Sequence, residues 1–496
     1  DIRYGGGNVV VDSVLQTINP VHIVGAQPTV VHNRITLSAD SAMSADPDSF
    51  EEVTFHSPKY QSGISPFTAD YTRVGPDIYG NTVINNSING LFIRVLTPAG
   101  SQTLKMTVPG RFDDTDIVHV IGQNLEIQGT PGGPLRDSVG PDVSIISVTA
   151  AAGGTLTAGT YNYRLVFVDE NGFEGPASAV TNSRTLASTG SIQLSQLPVA
   201  TGSYVGRRIY RSNNAGGGTY TLVGELDTSS SVFIDNGTTL GRTLTAVASR
   251  DLARIDARLA IDPGVIVKLE GARIEAEVGA QIIAEGSEGH QVIFTSKLDD
   301  RYGAGGTFDT NNNGQASVPS AGNWGGIYIG HMATGSIDRA LITFAGGVVP
   351  LEGSFAGFNP IEIHQAKVRI RNTVFEDNAN GQGGGAPSNR FGLYPNGSAT
   401  IFVRDAQPVI LDNVFRDNTG PVININVNAL NSLIVTDPGR STGLADQQTN
   451  YLDNQGPLVR DNAIGSSRPG AINGMLVRGE ILTTQSVWDD TDIVHV

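Results

Sequence analysis

An internal repeat constrains the fold of this chain more than any other feature. The octapeptide DDTDIVHV occupies residues 113–120 and again residues 489–496, and such a match is too long for coincidence in a chain of 496 residues. INGLFIRV at 88–95 likewise matches INGMLVRG at 472–479. Self-similarity over such distances is the sequence signature of repetitive architectures, so the chain is expected to contain two copies of one unit.

The two copies differ in length. IRYGGG at 2–7 resembles ITFAGG at 342–347, an offset of 340 (342 − 2), and NPVHIVGAQ matches NPIEIHQAK at the same offset. GPDIYGN at 75–81 faces GPLVRDN at 456–462, an offset of 381 (456 − 75). Residues 1–120 are therefore a shorter version of residues 341–496. The 41 residues gained by the second copy are enough for one extra structural unit with a loop.

The repeat has two explanations. In the first, the sequence is a segment of a longer tandem array. Val496 would then precede something like IGQNLEIQGTPGG, and Asp1 would follow something like GNWGGIYIGHMATGSIDR. Solenoids need capped ends, and neither terminus has an obvious polar cap, so head-to-tail self-association is a related expectation. In the second explanation, the chain is a single protein with one ancient duplication.

The local pattern predicts short strands separated by glycine turns. The stretch DPGVIVKLEGARIEAEVGAQIIAEGSEGHQVIFTS at 262–296 predicts strands at 265–269, 272–277, 281–285 and 291–295. A single strand of this length cannot bury its apolar side chains. When successive coils of the chain stack, the strands of neighbouring coils bury these side chains against one another. The expected fold class is therefore all-β, with parallel β-helix (solenoid) segments.

Asparagines recur at matching points of these predicted coils. Asn33, Asn81, Asn372, Asn413 and Asn462 each precede an apolar pair. Asparagine tolerates the left-handed backbone conformation, and its amide can bond to the coil above and the coil below. These residues predict an internal asparagine ladder at one corner of the solenoid, although asparagine could also end strands at the surface.

The composition excludes some classes of function. Glycine supplies 61 residues and aromatic residues only 6% of the chain, which indicates many turns and a core of small aliphatic side chains. The 48 acidic and 32 basic residues give a net charge of −16, whereas a nucleic-acid binder needs basic patches. No stretch approaches the roughly 20 apolar residues that cross a bilayer.

The middle of the chain has a different pattern. In residues 141–245 the predicted strands are longer, as in TYNYRLVFV, and RRIYRS and TYTLVGEL predict a hairpin with NNAGGG as its loop. About 100 residues of such strands fit an immunoglobulin-like sandwich. The segment is similar to fibronectin type III domains.

The strand-rich stretch at 262–296, together with GNWGGIYIG, IRYGGG and VWDDTDIVHV, resembles the very large repetitive β-helix surface proteins secreted by bacteria, for example planctomycetes. The resemblance implies right-handed parallel β-helices with small β domains between them. It also implies an extracellular structural or adhesive role without established catalytic residues. The expected domains are a β-helix at 1–130, a fibronectin III-like sandwich at 141–245 and a second β-helix at 250–496, which includes an Asp/Asn-rich loop at 297–322.

That loop contains the strongest candidate for a metal site. In DTNNNG, Asp309, Asn311 and Asn313 alternate and Gly314 follows, a spacing in which one loop wraps oxygen ligands around Ca²⁺. An EF-hand would need a glutamate where this chain has Ser320, and no helices flank the loop. A further carboxylate must therefore come from elsewhere.

Asp299 and Asp300, in KLDDRYG at the start of the loop, are the candidates for that carboxylate. The sequence thus predicts a structural Ca²⁺ site formed by these aspartates with residues of DTNNNG. The alternative is a polar loop that is closed by Asx turns and binds no metal.

The repeated octapeptide contains both aspartate and histidine, a combination that invites a catalytic interpretation. Asp116 and His119 are three residues apart on a predicted strand, so their side chains point to opposite faces. The segment is expected to be an acidic turn that leads into a core strand. A second Ca²⁺ site at Asp113 and Asp114 is the alternative.

Some β-helices are polysaccharide lyases or hydrolases, which use paired carboxylates or Ca²⁺ ligands beside a basic residue. Asp412 with Asp417, or Asp377 with Arg371, would have to supply such a site. Only two tryptophans are present for sugar stacking. Duplication of a unit would lengthen a rod, whereas one active site needs no second copy.

We therefore expect no enzyme but a calcium-stabilised structural or adhesive rod at the cell surface, with surface polysaccharide as a candidate partner. A carbohydrate-binding or carbohydrate-cleaving protein is the alternative.

Overall fold

The fold is all-β, as predicted, and most of its sheets are parallel. The structure, a computed structural model, describes residues 1–11, 13–51, 76–96, 103–128, 140–169, 174–200, 204–244, 257–314, 316–351, 354–383, 390, 393–441, 455–466 and 468–496. Short 3-10 helices span Pro47–Phe50 and Val427–Ala429. Within these ranges, no helix is long and apolar enough to cross a membrane.

Two small parallel sheets, an antiparallel hairpin and the first three strands of a ten-stranded parallel sheet form the N-terminal part. The strands are β1 Ile2–Arg3, β2 Gly7–Val11, β3 Val14–Ile18, β4 Val21–Ile23, β5 Thr29–Val31, β6 Arg34–Thr36, β7 Ser41–Ala45, β8 Asp77–Tyr79, β9 Thr82–Ile84 and β10 Ile88–Ile93. Parallel pairing joins β1, β6 and β9, then β5 and β8, then β4, β7 and β10. We call this set the first stack. Strands β2 and β3 pair antiparallel.

Three strands and a separate antiparallel unit follow. The strands are β11 Pro109–Phe112, β12 His119–Ile121 and β13 Leu125–Ile127. The antiparallel unit contains β14 Ser147–Leu156, β15 Gly159–Tyr161, β16 Tyr163–Asp169, β17 Arg184–Leu186, β18 Gly190–Ser195, β19 Tyr204–Arg211, β20 Thr221–Leu226 and β21 Val232–Asp235. Its sheets β14-β18-β21 and β16-β19-β20 share a core of their own. The predicted hairpin of RRIYRS with TYTLVGEL is confirmed as β19 and β20.

The remaining strands are β22 Arg258–Ile261, β23 Ile266–Leu269, β24 Ile274–Ala276, β25 Gln281–Glu285, β26 Val292–Ser296, β27 Ile327–Ile329, β28 Thr334–Asp338, β29 Ala340–Thr343, β30 Val348–Leu351, β31 Ser354–Gly357, β32 Ile361–His364, β33 Lys367–Arg371, β34 Val374–Glu376, β35 Ile401–Arg404, β36 Val409–Leu411, β37 Val414–Arg416, β38 Pro421–Asn426, β39 Leu458–Arg460, β40 Ala463–Gly465 and β41 Ile472–Arg478.

The strands from β11 onward, apart from the antiparallel ones, form a second stack of three parallel sheets. Their orders are β11-β22-β25-β28-β33-β36-β39, then β12-β23-β26-β29-β34-β37-β40, then β13-β24-β27-β32-β35-β38-β41. The second of these sheets continues directly into the first stack, because β12 pairs in parallel with β10 and so extends the sheet β4-β7-β10 to ten strands. Three consecutive strands, one in each sheet, make one circuit of the chain. The circuits on both sides of the antiparallel unit pair directly with each other, β11 with β22, β12 with β23 and β13 with β24. The antiparallel unit is therefore an insertion between two adjacent circuits of one stack.

Apolar ladders hold the circuits together. Pairing in the third sheet places isoleucine on isoleucine through five successive strands, and each is almost fully buried. These residues are Ile274, Ile327, Ile361, Ile401 and Ile423. Burying one isoleucine side chain stabilises a fold by roughly 1.5–3 kcal/mol. A short strand is thus stabilised by its neighbours in the ladder.

The repeat seen in the sequence is also a repeat in structure. The hairpin of β2 and β3 has its counterpart in the hairpin of β30 and β31, and both pair antiparallel. Left-handed corner residues recur at the same offset, such as Tyr4 with Phe344 and Leu37 with Asp377. The second copy has one additional circuit, β35 to β37, and this accounts for its greater length.

The predicted asparagine ladder is present. Asn413 donates from Nδ2 to the Ile370 carbonyl (3.0 Å), and its Oδ1 accepts the Thr373 main-chain N–H (3.0 Å). Asn462 accepts the N–H of Asn413 in the same way (3.0 Å). The prediction for Asn372 was wrong: this residue is the left-handed corner residue (φ 51°), and Thr373 occupies the ladder position.

The first stack matches this arrangement. Asn81 accepts the N–H of Asn33 (2.9 Å) and donates to the Val30 carbonyl (2.6 Å). The ladder therefore runs at the same corner in both copies, where it satisfies main-chain groups that the turns would leave unpaired.

Candidate calcium site in the loop at residues 297–322

The Asp/Asn-rich loop leaves the second stack after β26 and returns to it at β27. It reaches across to the first stack, where the Thr307 hydroxyl donates to the Val83 carbonyl (2.6 Å). The main-chain N–H of Asn89 donates to the Thr310 carbonyl (2.7 Å), and its side-chain amide donates to the Asp309 carbonyl (2.9 Å). The loop is thus a strap that connects the two stacks.

The DTNNNG turn is organised around Asp309. Its Oδ1 accepts the N–H of Asn313 (3.1 Å), and its Oδ2 accepts the N–H of Gly314 (2.8 Å). Asn312 and Gly314 adopt left-handed conformations, with φ of 53° and 66°. These bonds are the Asx-type closure that the sequence offered as an alternative to metal binding, but each carboxylate oxygen retains a lone pair for a cation.

Three oxygens of the predicted ligand set are buried without any hydrogen-bond partner among the described residues. They are Asp300 Oδ1, Asn311 Oδ1 and Asn313 Oδ1. The amide nitrogen of Asn313 donates to the Ser317 hydroxyl, which leaves its oxygen free. A buried acceptor without a donor costs about 1–3 kcal/mol. Three such oxygens in one loop are what a hard, oxygen-seeking cation would satisfy.

The charges around the loop act on one another. The pKa of Asp300 is raised, first by burial and then by the negative charge of Asp309, while Lys268 opposes this shift. The pKa of Lys268 is lowered to about 8, because burial outweighs the attraction of Asp299, Asp300 and Asp309. The ammonium group donates to the Phe308 carbonyl (3.0 Å). Asp300 and Asp309 repel each other, and Lys268 offsets this repulsion only in part, so the loop favours a cation.

Asp299 is placed differently from Asp300. Its carboxylate accepts the Thr295 hydroxyl (2.6 Å) and two guanidinium nitrogens of Arg301 (2.9 and 3.0 Å). Burial alone would raise the pKa of Asp299, but these hydrogen bonds bring the pKa below its usual value. Of the two predicted aspartates, Asp300 therefore has the oxygen available to a metal, and Asp299 holds the start of the loop in place.

The donor set suits Ca²⁺ better than a transition metal. Among the described residues, no group of three or more His, Cys, Asp or Glu side chains could hold a metal ion. An ion at this loop would take two carboxylates, Asp300 and Asp309, and complete its shell with the amide oxygens of Asn311 and Asn313, carbonyls and water. Calcium accepts such mixed oxygen ligands in flexible geometry.

Sequence reasoning missed Lys268 and Asn89. Lys268 is fully buried and one of only five lysines in the chain, and it follows the core residue Val267 in the strand IVKL. A rare lysine inside an apolar strand is a signal of a local partner. The role of Asn89 had no local signal, because it depends on a contact with a loop 220 residues away.

The repeated octapeptide acts as a cap on strand edges. Asp114 Oδ1 accepts the N–H of Ile78 (2.9 Å), and Asp116 Oδ2 accepts the N–H of Gly80 (3.3 Å). His119 is fully buried, its ring stacks on Phe112 at 4.6 Å, and burial lowers its pKa to about 3. The expected core strand is therefore present, and these aspartates are engaged with main-chain donors.

In the second copy, the corresponding carboxylates bond in the same manner. Asp490 accepts the N–H of Val459 (3.1 Å), and Asp492 accepts the N–H of Asp461 (2.6 Å). Carboxylates thus take the place of the carbonyls that a further strand would supply to β8 and β39.

Two of the three candidate carboxylates for polysaccharide cleavage are in ion pairs. Asp412 binds the Arg371 guanidinium (2.8 Å), and Asp377 binds Arg468. A different cluster, which the sequence did not indicate, lies beside the hairpin of β30 and β31.

In this cluster, Glu362 accepts from Arg390 (2.7 Å) and contacts His364 Nε2 (3.1 Å), and all three side chains are buried. Burial raises the pKa of Glu362, but Arg390 and His364 more than offset this and lower it. His364 Nδ1 and Arg390 Nε and Nη1 have no hydrogen-bond partner among the described residues.

Comparisons with protein-family models, with curated proteins and with solved structures find no match to this chain.

Proposed function

We propose that this chain is an extracellular structural or adhesive protein that forms part of a stiff, repetitive rod at the cell surface. In this proposal, the two stacks are right-handed parallel β-helices, and the antiparallel unit is a fibronectin III-like sandwich. Calcium bound at the strap stabilises the rod. The partners would be further units of the same kind, in a longer array or by self-association, with surface polysaccharide as a candidate adhesion target.

The observation that supports this proposal most is the recurrence of one junction in both copies. In the first copy, Leu91 of β10 pairs in parallel with His119. In the second, Met475 of β41 pairs in parallel with His495. An active site needs no second copy, whereas a rod built of units needs the same end geometry in each unit. Because each circuit contacts only its neighbours, such a rod lengthens without changing its core.

Electron microscopy tests the structural role. Antibodies raised against the chain should label fibres or an extended layer outside the cell in sections of the source organism. Label confined to the cell interior, or native material consisting only of discrete globular particles, would contradict the proposal.

Calorimetry tests the calcium site. A bound ion contributes RT ln(1 + [L]/Kd), about 2.7 kcal/mol when free Ca²⁺ is a hundred times Kd. Chelation should therefore lower Tm, and Asp309→Ala should remove the difference between calcium and chelator. Asp142→Ala is the matched control, because Asp142 also accepts a main-chain N–H (from Ser144, 2.8 Å) in an exposed turn. Equal Tm values with and without chelator in the unsubstituted protein would count against a bound ion.

Lys268 gives this site a pH dependence. Its ammonium charge opposes a bound cation, and its pKa is about 8, so raising the pH from 7 to 9 should tighten Ca²⁺ binding. Lys268→Met should tighten binding at pH 7 and abolish that change. Isothermal titration at the two pH values measures both effects.

The alternative function, binding or cleavage of carbohydrate, is favoured by one observation, the cluster of Glu362, His364 and Arg390. Its carboxylate, imidazole and guanidinium groups are those that acid–base chemistry on an acidic sugar would need. Polysaccharide depolymerisation that is lost in His364→Gln would support this function over the structural one.

A further inference from the structure

The two copies of the junction differ in what covers them. We define the closed junction as β9, β10 and residues 112–120, and the open junction as β40, β41 and residues 488–496. Their internal bonds match: Leu91 N–H donates to the Val118 carbonyl at 2.9 Å, and Met475 N–H donates to the Val494 carbonyl at 2.8 Å.

Each junction contains one stacked aromatic–histidine pair. In the closed junction, Phe112 and His119 stack at 4.6 Å, and both are completely buried. In the open junction, Trp488 and His495 stack at 5.1 Å and 10°, but Trp488 is 58% exposed. The same local geometry thus presents an apolar surface in one copy and a core in the other.

Strands of the second stack bury the closed junction. Phe112 pairs with Ile261 of β22, and His119 pairs with Val267 of β23, so these two strands complete the sheets beside the aromatic pair. The strap covers the adjacent strand β9, because the Thr307 hydroxyl of the strap donates a hydrogen bond to the Val83 carbonyl.

Apolar side chains are exposed in the open junction at positions that are covered in the closed junction. Val494 is 66% exposed, whereas its counterpart Val118 is 1% exposed. Val496, two residues further along, is 54% exposed. Exposed apolar side chains beside a strand edge are typical of a surface that binds another strand.

We propose that the open junction is a docking edge for a further unit of the same type as residues 257–310. In this arrangement, a strand like β22 lies beside Trp488, a strand like β23 pairs with His495 and Val496, and an Asp/Asn strap covers β40. This inference rests on the proposed function and names the partner that a rod of such units requires.

The occupant is a further unit and not an intact second copy of this chain. Strands β22 and β23 of this chain are already paired with β11 and β12, so a second copy has no free edge of this type. The sequence agrees with this choice, because the two junctions share the octapeptide that meets β23 in the closed one.

A lengthened chain tests the proposal. Residues 121–321 are repeated after Val496, which adds neither tryptophan nor cysteine to a chain that has no cysteine. Val494→Cys then provides a single thiol at the junction. Its labelling by a maleimide should be rapid in the original chain and lost in the lengthened one. Val318→Cys, at an exposed position of the original strap, should remain reactive in both.

Tryptophan fluorescence gives a second measurement. In the lengthened chain, acrylamide should no longer quench the fluorescence of Trp488. Total quenching should then fall to the level of the buried Trp324 alone, which is measured in the Trp488→Phe variant. Val267→Pro in the repeated segment alone should restore both quenching and labelling, since proline cannot donate to the strand ladder.

Three outcomes would overturn the inference. In the first, the lengthened chain binds twice as much calcium as the original chain, which shows that the added segment is folded. If the thiol of the Val494→Cys variant nevertheless stays reactive, the added segment does not dock. In the second, the proline variant remains protected. In the third, protection in the original chain rises with concentration, which would assign the surface to a second copy. The structural role is tested separately, by antibody labelling in electron microscopy, and none of these three outcomes affects that result.

Discussion

The closed and the open junction contain the same octapeptide in two different environments. In the closed junction, His119 is fully buried and burial lowers its pKa to about 3. In the open junction, burial also lowers the pKa of His495, but the histidine stacks on an exposed tryptophan. Strand pairing, edge capping and aromatic stacking are therefore set by the repeat itself, and only burial depends on the neighbouring unit.

A second contrast lies in the number of circuits. The second copy accommodates β35 to β37 without disturbing the equivalence of the strands before and after them. Since each circuit pairs only with the circuits above and below, an insertion of one whole circuit preserves every ladder. This tolerance would not extend to a partial circuit, which would move each later strand into the wrong sheet.

The largest expected effect separates the two aromatic positions. Phe112→Ala removes a fully buried ring and should destabilise the protein by about 3–5 kcal/mol. Trp488→Ala, at the equivalent exposed position, should change stability by only about 0.5 kcal/mol. Denaturation midpoints measure both variants. Similar losses for the two would mean that the open junction is buried in solution.

A smaller effect distinguishes the equivalent asparagines of β10 and β41. Asn89 is 4% exposed, bonds to the strap and accepts the N–H of Asn86 (2.9 Å), so Asn89→Ala should cost about 1–3 kcal/mol. Asn473 is exposed and its amide makes a long bond to the Ser466 carbonyl (3.4 Å), so Asn473→Ala should be nearly neutral.

Calcium affinity, measured by titration, provides the control for this pair. Asn89→Ala should weaken Ca²⁺ binding, because the strap loses an anchor, whereas Asn473→Ala should leave it unchanged. Unaltered affinity in Asn89→Ala would separate the metal site from the contact between the stacks.

An effect that appears only as a dependence on pH concerns the cap of the open junction. Burial raises the pKa of Asp490 to about 7, although the Val459 N–H and Arg460 oppose the shift. A carboxyl whose pKa is higher in the folded state than in the unfolded state favours folding at low pH. Stability from this group should therefore be present at pH 4 and be lost as the pH rises through 7.

Asp490→Asn retains an acceptor for Val459 and carries no charge. Thermal melts between pH 5 and 8 should accordingly depend less on pH in this variant than in the unsubstituted protein. An unchanged slope would show that Asp490 is ionised throughout this range.

Much of the fold follows from local pattern. The strands predicted in residues 262–296 appear within a residue or two as β23 to β26, because glycine turns and alternating apolar residues define them. The corner at Asn372 was predicted one residue out of place, because Asn and Thr exchange roles between neighbouring coils.

Long-range contacts account for what the sequence did not predict. Local pattern suggested separate β-helices before and after the antiparallel unit, and only the pairings of β11 with β22, β12 with β23 and β13 with β24 across that unit show that the circuits on its two sides are continuous. Likewise, DTNNNG marked the loop, but the engagement of Asp299 by Arg301 depends on side-chain geometry within the fold.

The position of the inserted antiparallel unit has a mechanical consequence. The chain leaves the stack after β13 and re-enters it on the adjoining circuit, where paired strands lie about 4.8 Å apart. Tension along the stack is therefore transmitted through the hydrogen bonds between β11–β13 and β22–β24, and the antiparallel unit lies outside the path of the load. This unit comes under tension only after those bonds break, so it can vary in sequence or bind a partner without weakening the stack.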